Sequence, residues 1–102
     1  MRHLPFLAGA LLLAGAAQGQ TAEAVNLRSM AATCATCHGT DGRSVPGSSV
    51  PSIAGMPRDH LSSQLKAFKA GSRPSTVMGQ LAKGFSDAQL EQLADYFSRQ
   101  KQ

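Results

Sequence analysis

The stretch that decides the fold is Cys34-Ala35-Thr36-Cys37-His38, which holds both cysteines of the chain. Such a run can form a disulfide, a metal site or a covalent haem attachment. A two-residue disulfide loop usually lies at a helix N-terminus after a strand, and no strand pattern precedes Cys34. A zinc site needs four ligands, and with no second cysteine pair His60 is the main further candidate. Covalent haem uses all three residues, because two thiols three positions apart reach two neighbouring vinyl groups while His38 offers an imidazole to the iron.

The composition around this run is that of one small domain. The chain has 102 residues, 10 Lys or Arg against 6 Asp or Glu, and 42% apolar residues. This size excludes a multidomain enzyme. No nucleic-acid motif accompanies the basic residues, so no nucleic-acid partner is expected.

The N-terminal segment predicts an export signal. A basic start at residues 1–3 is followed by an apolar stretch at residues 4–17 and by small residues at Ala17-Gln18-Gly19. The apolar stretch is shorter than the roughly 20 residues that span a membrane, so we do not expect a membrane-spanning protein. We therefore expect a signal peptide at residues 1–19, cleaved near Gly19 and Gln20, a periplasmic domain at residues 20–102, and, as the alternative, an uncleaved signal anchor.

Three helices are predicted for residues 20–102. The first runs from residue 21 or 22 to Cys34, and the second begins near Pro57 and ends before Gly71. The last opens with a capping box at residues 86–89, and its apolar stripe is expected to pack across the first helix. That stripe consists of Leu90, Leu93, Ala94 and Phe97.

The haem motif resembles that of the class I cytochromes c. This resemblance implies an all-α fold of three to five helices around one covalently attached haem c, with Cys34 and Cys37 as thioethers and His38 as an axial ligand. In that family a methionine from a later loop takes the other axial position. Met30 lies on the helix of Cys34 and cannot reach the opposite face, so Met56 and Met78 are the candidates.

The segment Pro51-Ser52-Ile53-Ala54-Gly55 looks like the proximal segment of these cytochromes, in which a proline carbonyl accepts a hydrogen bond from the ligating histidine. The resemblance therefore assigns that role to Pro51, and it places Met56 on the proximal side. Met78, in a loop after the second helix, is the predicted sixth ligand. We expect His60 to be an exposed helix residue rather than the second ligand of a bis-histidine iron.

A closer resemblance extends over residues 34–97. The runs CHGTDG (residues 37–42), PSIA (51–54), STVMGQLAKGFS (75–86) and ADYF (94–97) look like the haem subunit of flavocytochrome c sulfide dehydrogenase. The resemblance implies an electron carrier, not itself an enzyme, that accepts single electrons from a sulfide-oxidising flavoprotein subunit and passes them to a downstream acceptor. The alternatives are a free-standing soluble cytochrome that shuttles electrons between redox enzymes, and a thiol redox protein that uses Cys34 and Cys37.

Five basic residues suggest a further hypothesis about how a partner binds, and they are Arg43, Lys66, Lys69, Arg73 and Lys83. They could rim the haem edge and steer an acidic partner. An ordinary solvated face is the favoured interpretation of these residues.

Overall fold

The computed structural model describes residues 19–102, so the predicted signal peptide lies outside the described residues except for Gly19. Within residues 19–102, four α-helices follow one another: α1 (Ala22–His38), α2 (Arg58–Ala70), α3 (Met78–Lys83) and α4 (Asp87–Ser98). A short 3-10 turn at Thr40–Gly42 follows α1, and the described part of the chain contains no strand. The predicted all-α class is confirmed. Between residues 19 and 102, no helix is both long enough and apolar enough to cross a membrane.

The first helix extends one turn beyond the predicted end. It begins after Thr21, whose hydroxyl accepts a hydrogen bond from the Ala24 N–H at 3.1 Å, which is a typical N-cap. It ends only at Gly39, where φ is +84°. The prediction that α1 stops at Cys34 is therefore wrong, because no residue before Gly39 breaks a helix. As a result, the whole haem motif lies on helical backbone.

The boundaries of α2 and α4 agree with the predictions. Pro57 directly precedes α2, and Gly71 ends it in the left-handed conformation with its N–H donating to the Phe68 carbonyl. At the start of α4, the Ser86 hydroxyl accepts from the Gln89 N–H at 3.1 Å and the Gln89 side chain accepts from the Ser86 N–H at 2.9 Å. The predicted capping box is confirmed.

The core forms where α4 packs against both α1 and α2. Its buried side chains are Ala31, Leu61, Leu90, Leu93, Ala94 and Phe97. Four of these are the predicted stripe of α4, so the prediction that this stripe packs on α1 is confirmed. The same stripe also packs against α2, and α3 packs against α2.

The short helix α3 was not predicted. Its first turn is organised by Val77, whose carbonyl accepts from the Gln80 and Leu81 N–H groups, and by the Ser75 hydroxyl, which accepts from the Gly79 N–H at 2.8 Å. Met78 is therefore the first residue of a helix rather than part of an extended loop. A helix of six residues has too few turns for a repeating pattern of apolar residues to reveal it in the sequence. It is stabilised by packing on α2.

Candidate functional site

Cys34 and Cys37 lie one turn apart on the last part of α1, so both side chains point to the same side of the helix. Cys34 is half-buried and packs against the core, whereas Cys37 is exposed, and the two cysteines do not form a disulfide with each other. Burial raises the pKa of the Cys34 thiol more than the neighbouring Thr33 hydroxyl lowers it. A reactive thiol requires a lowered pKa, so this shift of the Cys34 pKa does not favour the thiol redox hypothesis.

His38 is held by the carbonyl of Pro51. The imidazole Nδ1 lies 2.7 Å from the Pro51 oxygen, across a separation of 13 residues. Because a carbonyl can only accept, Nδ1 carries the proton and donates it. The other nitrogen, Nε2, is then unprotonated in the neutral ring and can bind a metal. This is the arrangement in which an outer partner fixes both the tautomer and the ring orientation of a ligating histidine.

The irregular segment between α1 and α2 is anchored to α4. The Gly55 N–H donates to the Phe97 carbonyl at 2.8 Å, and the Tyr96 hydroxyl donates to Asp41 at 2.7 Å. The hydrogen bond to Asp41, together with burial, raises the pKa of Tyr96. Asp41 itself has a φ of +53°, which is uncommon outside glycine. The Tyr96–Asp41 contact joins residues 55 positions apart, and no pattern in the sequence predicts it.

The four methionines of the chain include three in the described residues. Met30 and Met56 both pack against the hydrophobic core. Met78 is half-buried at the start of α3, and its neighbours Val77 and Leu81 are 53% and 50% exposed. Met78 is therefore adjacent, at the start of α3, to exposed apolar residues, whereas Met56 packs against the core.

The other metal interpretations find no support in the described residues. No group of three or more His, Cys, Asp and Glu side chains converges anywhere between residues 19 and 102. His60 is exposed in the first turn of α2, as expected for a surface residue.

The residues present fit a covalently bound haem. Two thiols one turn apart and an imidazole held through Nδ1 are the groups that a covalently bound haem requires, and a thioether such as that of Met78 is a donor type that a low-spin haem iron accepts. Val45, Val77 and Leu81 are exposed apolar side chains of the kind that a porphyrin face covers.

Most of the five candidate rim cations are engaged within the fold. Lys66 bonds Glu91, and Lys69 pairs with Asp87 at 3.0 Å, so both connect α2 to α4. Arg43 lies 3.5 Å from Asp41. The guanidinium of Arg73 stacks 4.5 Å above the Phe68 ring. These contacts agree with a structural, solvated role better than with a free steering patch.

Glu91 is the centre of the largest of these networks. It accepts from the Ser62 hydroxyl at 2.6 Å and from Arg58 at 2.9 Å, besides Lys66. The hydrogen bonds from Lys66 and Ser62 hold the pKa of Glu91 below its ordinary value. Three donors from α2 therefore converge on one carboxylate of α4.

Comparison with known proteins places the chain among the c-type cytochromes. The family model described as "Cytochrome c" matches residues 27–101. The cytochrome subunit of sulfide dehydrogenase from Chlorobaculum tepidum is 48% identical over 65 residues, covering 64% of this chain and 57% of that protein. The thiosulfate dehydrogenase electron acceptor of Thiomonas intermedia is 42% identical over 71 residues, covering 70% of this chain and 33% of that protein.

A third relative matches over most of its own length. Cytochrome c-554(548) from Halomonas halodenitrificans is 35% identical over 72 residues, which cover 68% of this chain and 86% of that protein. The chain thus spans only a third to just over half of the first two relatives but nearly the whole of this one. The helical fold, the Cys34–His38 motif and these matches together show that the chain belongs to the cytochrome c family, as an electron carrier with covalently bound haem c.

Proposed function

We propose that this chain is the haem subunit that accepts electrons, one at a time, from a sulfide-oxidising flavoprotein and passes them to a downstream acceptor. We also propose that it works in the periplasm as residues 20–102, after removal of a signal peptide at residues 1–19. The 48% identity to a protein named as the cytochrome subunit of sulfide dehydrogenase supports the choice of partner.

Each site residue has a defined part in this proposal. Cys34 and Cys37 would bind the haem through thioethers, and His38 and Met78 would be the two side chains that hold its iron. The Pro51 carbonyl would orient the His38 ring. Bound haem supplies an iron that gains and loses a single electron.

The observation that carries the proposal is the 2.7 Å contact between His38 Nδ1 and the Pro51 carbonyl. It fixes the ring in one orientation and makes the imidazole a stronger donor through Nε2. With Met78 as a second ligand, oxygen, peroxide or sulfide would have to displace a side chain in order to bind the iron. A site with both positions filled by side chains on helical backbone suits electron transfer rather than substrate binding, because neither ligand has to move between oxidation states.

A second candidate function is supported by the relative named as a thiosulfate dehydrogenase electron acceptor. In that case the chain would be a free-standing soluble cytochrome that collects electrons from another sulfur-oxidising enzyme. The fold and the haem ligands would be the same, and the two functions differ only in the partner.

Affinity capture of the tagged protein from its native periplasm separates the two functions. The visible spectrum of the eluate is recorded before and after sulfide is added, and a second sample receives thiosulfate. If the proposal is right, the eluate should contain flavin in a fixed ratio to haem, and sulfide should reduce the haem. An eluate that contains haem without flavin, and whose haem sulfide does not reduce, would contradict the proposal of a flavoprotein partner. Reduction of that haem only when thiosulfate is added together with a thiosulfate-oxidising enzyme would favour the free-standing shuttle. His38→Ala, which should not mature with low-spin haem, serves as the control for the site.

A further inference from the structure

Ser44 connects the ligating histidine to the backbone on both sides of Pro51. Its hydroxyl lies 2.6 Å from the Val50 carbonyl and 3.3 Å from the carbonyl of His38. Its N–H donates to the Ser52 hydroxyl at 2.8 Å. One half-buried serine therefore contacts the residue before Pro51, the residue after it, and His38 itself.

Pro51 depends on its neighbours for its orientation. A proline has no N–H, so the peptide before Pro51 cannot be anchored by a hydrogen bond from its nitrogen. Val50 and Ser52, which flank the proline, are both bonded to Ser44. The contacts of Ser44 with Val50 and Ser52 therefore hold the backbone on both sides of Pro51, whose carbonyl oxygen lies 2.7 Å from His38 Nδ1.

We propose that Ser44 is a positioning residue, which holds the Pro51 carbonyl against His38 and thereby adjusts the donor strength of the imidazole. The inference rests on the proposed function, in which His38 is an axial ligand. A firm hydrogen bond at Nδ1 makes the imidazole more basic and favours the ferric iron. Loss of the Ser44 hydroxyl loosens that bond, and the reduction potential of the holoprotein rises.

The test compares Ser44→Ala with two matched variants in the purified holoprotein. Ser44→Thr keeps the hydroxyl and should restore the wild-type behaviour. Ser98→Ala removes another half-buried serine, whose hydroxyl donates to the Asp95 carbonyl at 2.7 Å within α4 and has no bond to His38 or to the residues around Pro51. The measured quantities are the solvent exchange of the His38 Nδ1 proton, followed by NMR in the reduced protein, and the reduction potential.

Ser44→Ala should exchange the Nδ1 proton roughly fivefold to tenfold faster, which corresponds to losing about one hydrogen bond, and its potential should be higher than that of the wild type. Ser44→Thr and Ser98→Ala should stay close to the wild type in both quantities. Should Ser44→Ala yield no folded holoprotein, Ser52→Ala, which removes the acceptor of the Ser44 N–H, should change both quantities in the same direction.

A lower melting temperature with unchanged exchange and potential would show that Ser44 is only structural, and it would overturn the inference. Equal effects of Ser44→Ala and Ser98→Ala would overturn it as well. Failure of the proposed site looks different, because the wild-type His38 ring protons would then lack the large upfield shifts that a porphyrin face causes.

Discussion

Replacing Gly42 by alanine should destabilise the holoprotein by about 2–5 kcal/mol, from two separate causes. Gly42 has a φ of +82°, and a left-handed conformation costs a residue with a Cβ about 1–2 kcal/mol. The added Cβ would also lie 2.7 Å from Cγ1 of Ile53 and 2.9 Å from Cδ1 of Phe97. Such overpacking costs about 1–3 kcal/mol. We therefore expect that Gly42 cannot be replaced by a larger residue without loss of stability, because its backbone lies directly against Ile53 and Phe97.

Gly47 provides the matched control for this prediction. Its φ is +81°, but a Cβ there would have no atom within 4 Å. Gly47→Ala should therefore show the conformational cost alone, and the difference between the two variants should be about 1–3 kcal/mol. Urea unfolding of both holoproteins, followed by far-UV circular dichroism, measures this difference. Equal free energies of unfolding for the two variants would refute the packing of Gly42 against Ile53 and Phe97.

Two further predictions concern the helices. Glu91→Gln should lower the free energy of unfolding at neutral pH, because the folded state holds the pKa of Glu91 below its ordinary value of 4.5 and so favours the carboxylate. This stabilisation is present above pH 4.5 and is lost as the pH falls through the lowered pKa of Glu91. The free energies of unfolding of the wild type and the variant should therefore converge in acid. A difference between them that stays constant from neutral to acidic pH would contradict the prediction. Ser86→Ala should cost about 1 kcal/mol, measured by the same urea titration, because it removes the cap of α4. Ser63→Ala, on the exposed face of α2, should change stability by less than half of that, and an equal loss would disprove the capping role.

The elements with local signals were predictable from the sequence. The capping box of α4 and the Gly71 stop of α2 each depend on residues within one or two turns, so their spacing alone defines the boundary. The apolar stripe of α4 predicted which face is buried, although not that α2 shares it with α1. The end of α1 lies at His38, beyond the predicted Cys34, since the first residue that breaks the helix is Gly39.

The features that depend on distant residues could not be predicted from periodicity. The contact of Tyr96 with Asp41 and the hydrogen bonds of Ser44 arise from an irregular segment, in which each side chain finds its partner only after the loop has folded. The ion pairs of Lys66 and Lys69 need the register between α2 and α4, which the sequence of either helix does not specify. By contrast, the pairing of His38 with Pro51 was assigned by resemblance, and the two residues lie at hydrogen-bonding distance.

The ferric absorption spectrum of the purified holoprotein tests the central claim most directly, namely that His38 and Met78 together hold the iron. The wild type and Met56→Ala should both show the weak sulfur-to-iron charge-transfer band of a methionine-bound ferric haem, and Met78→Ala should lack it. The methionine at position 56 packs against the core, so its loss should lower stability without removing the band. A band that survives Met78→Ala and disappears in Met56→Ala would contradict the assignment.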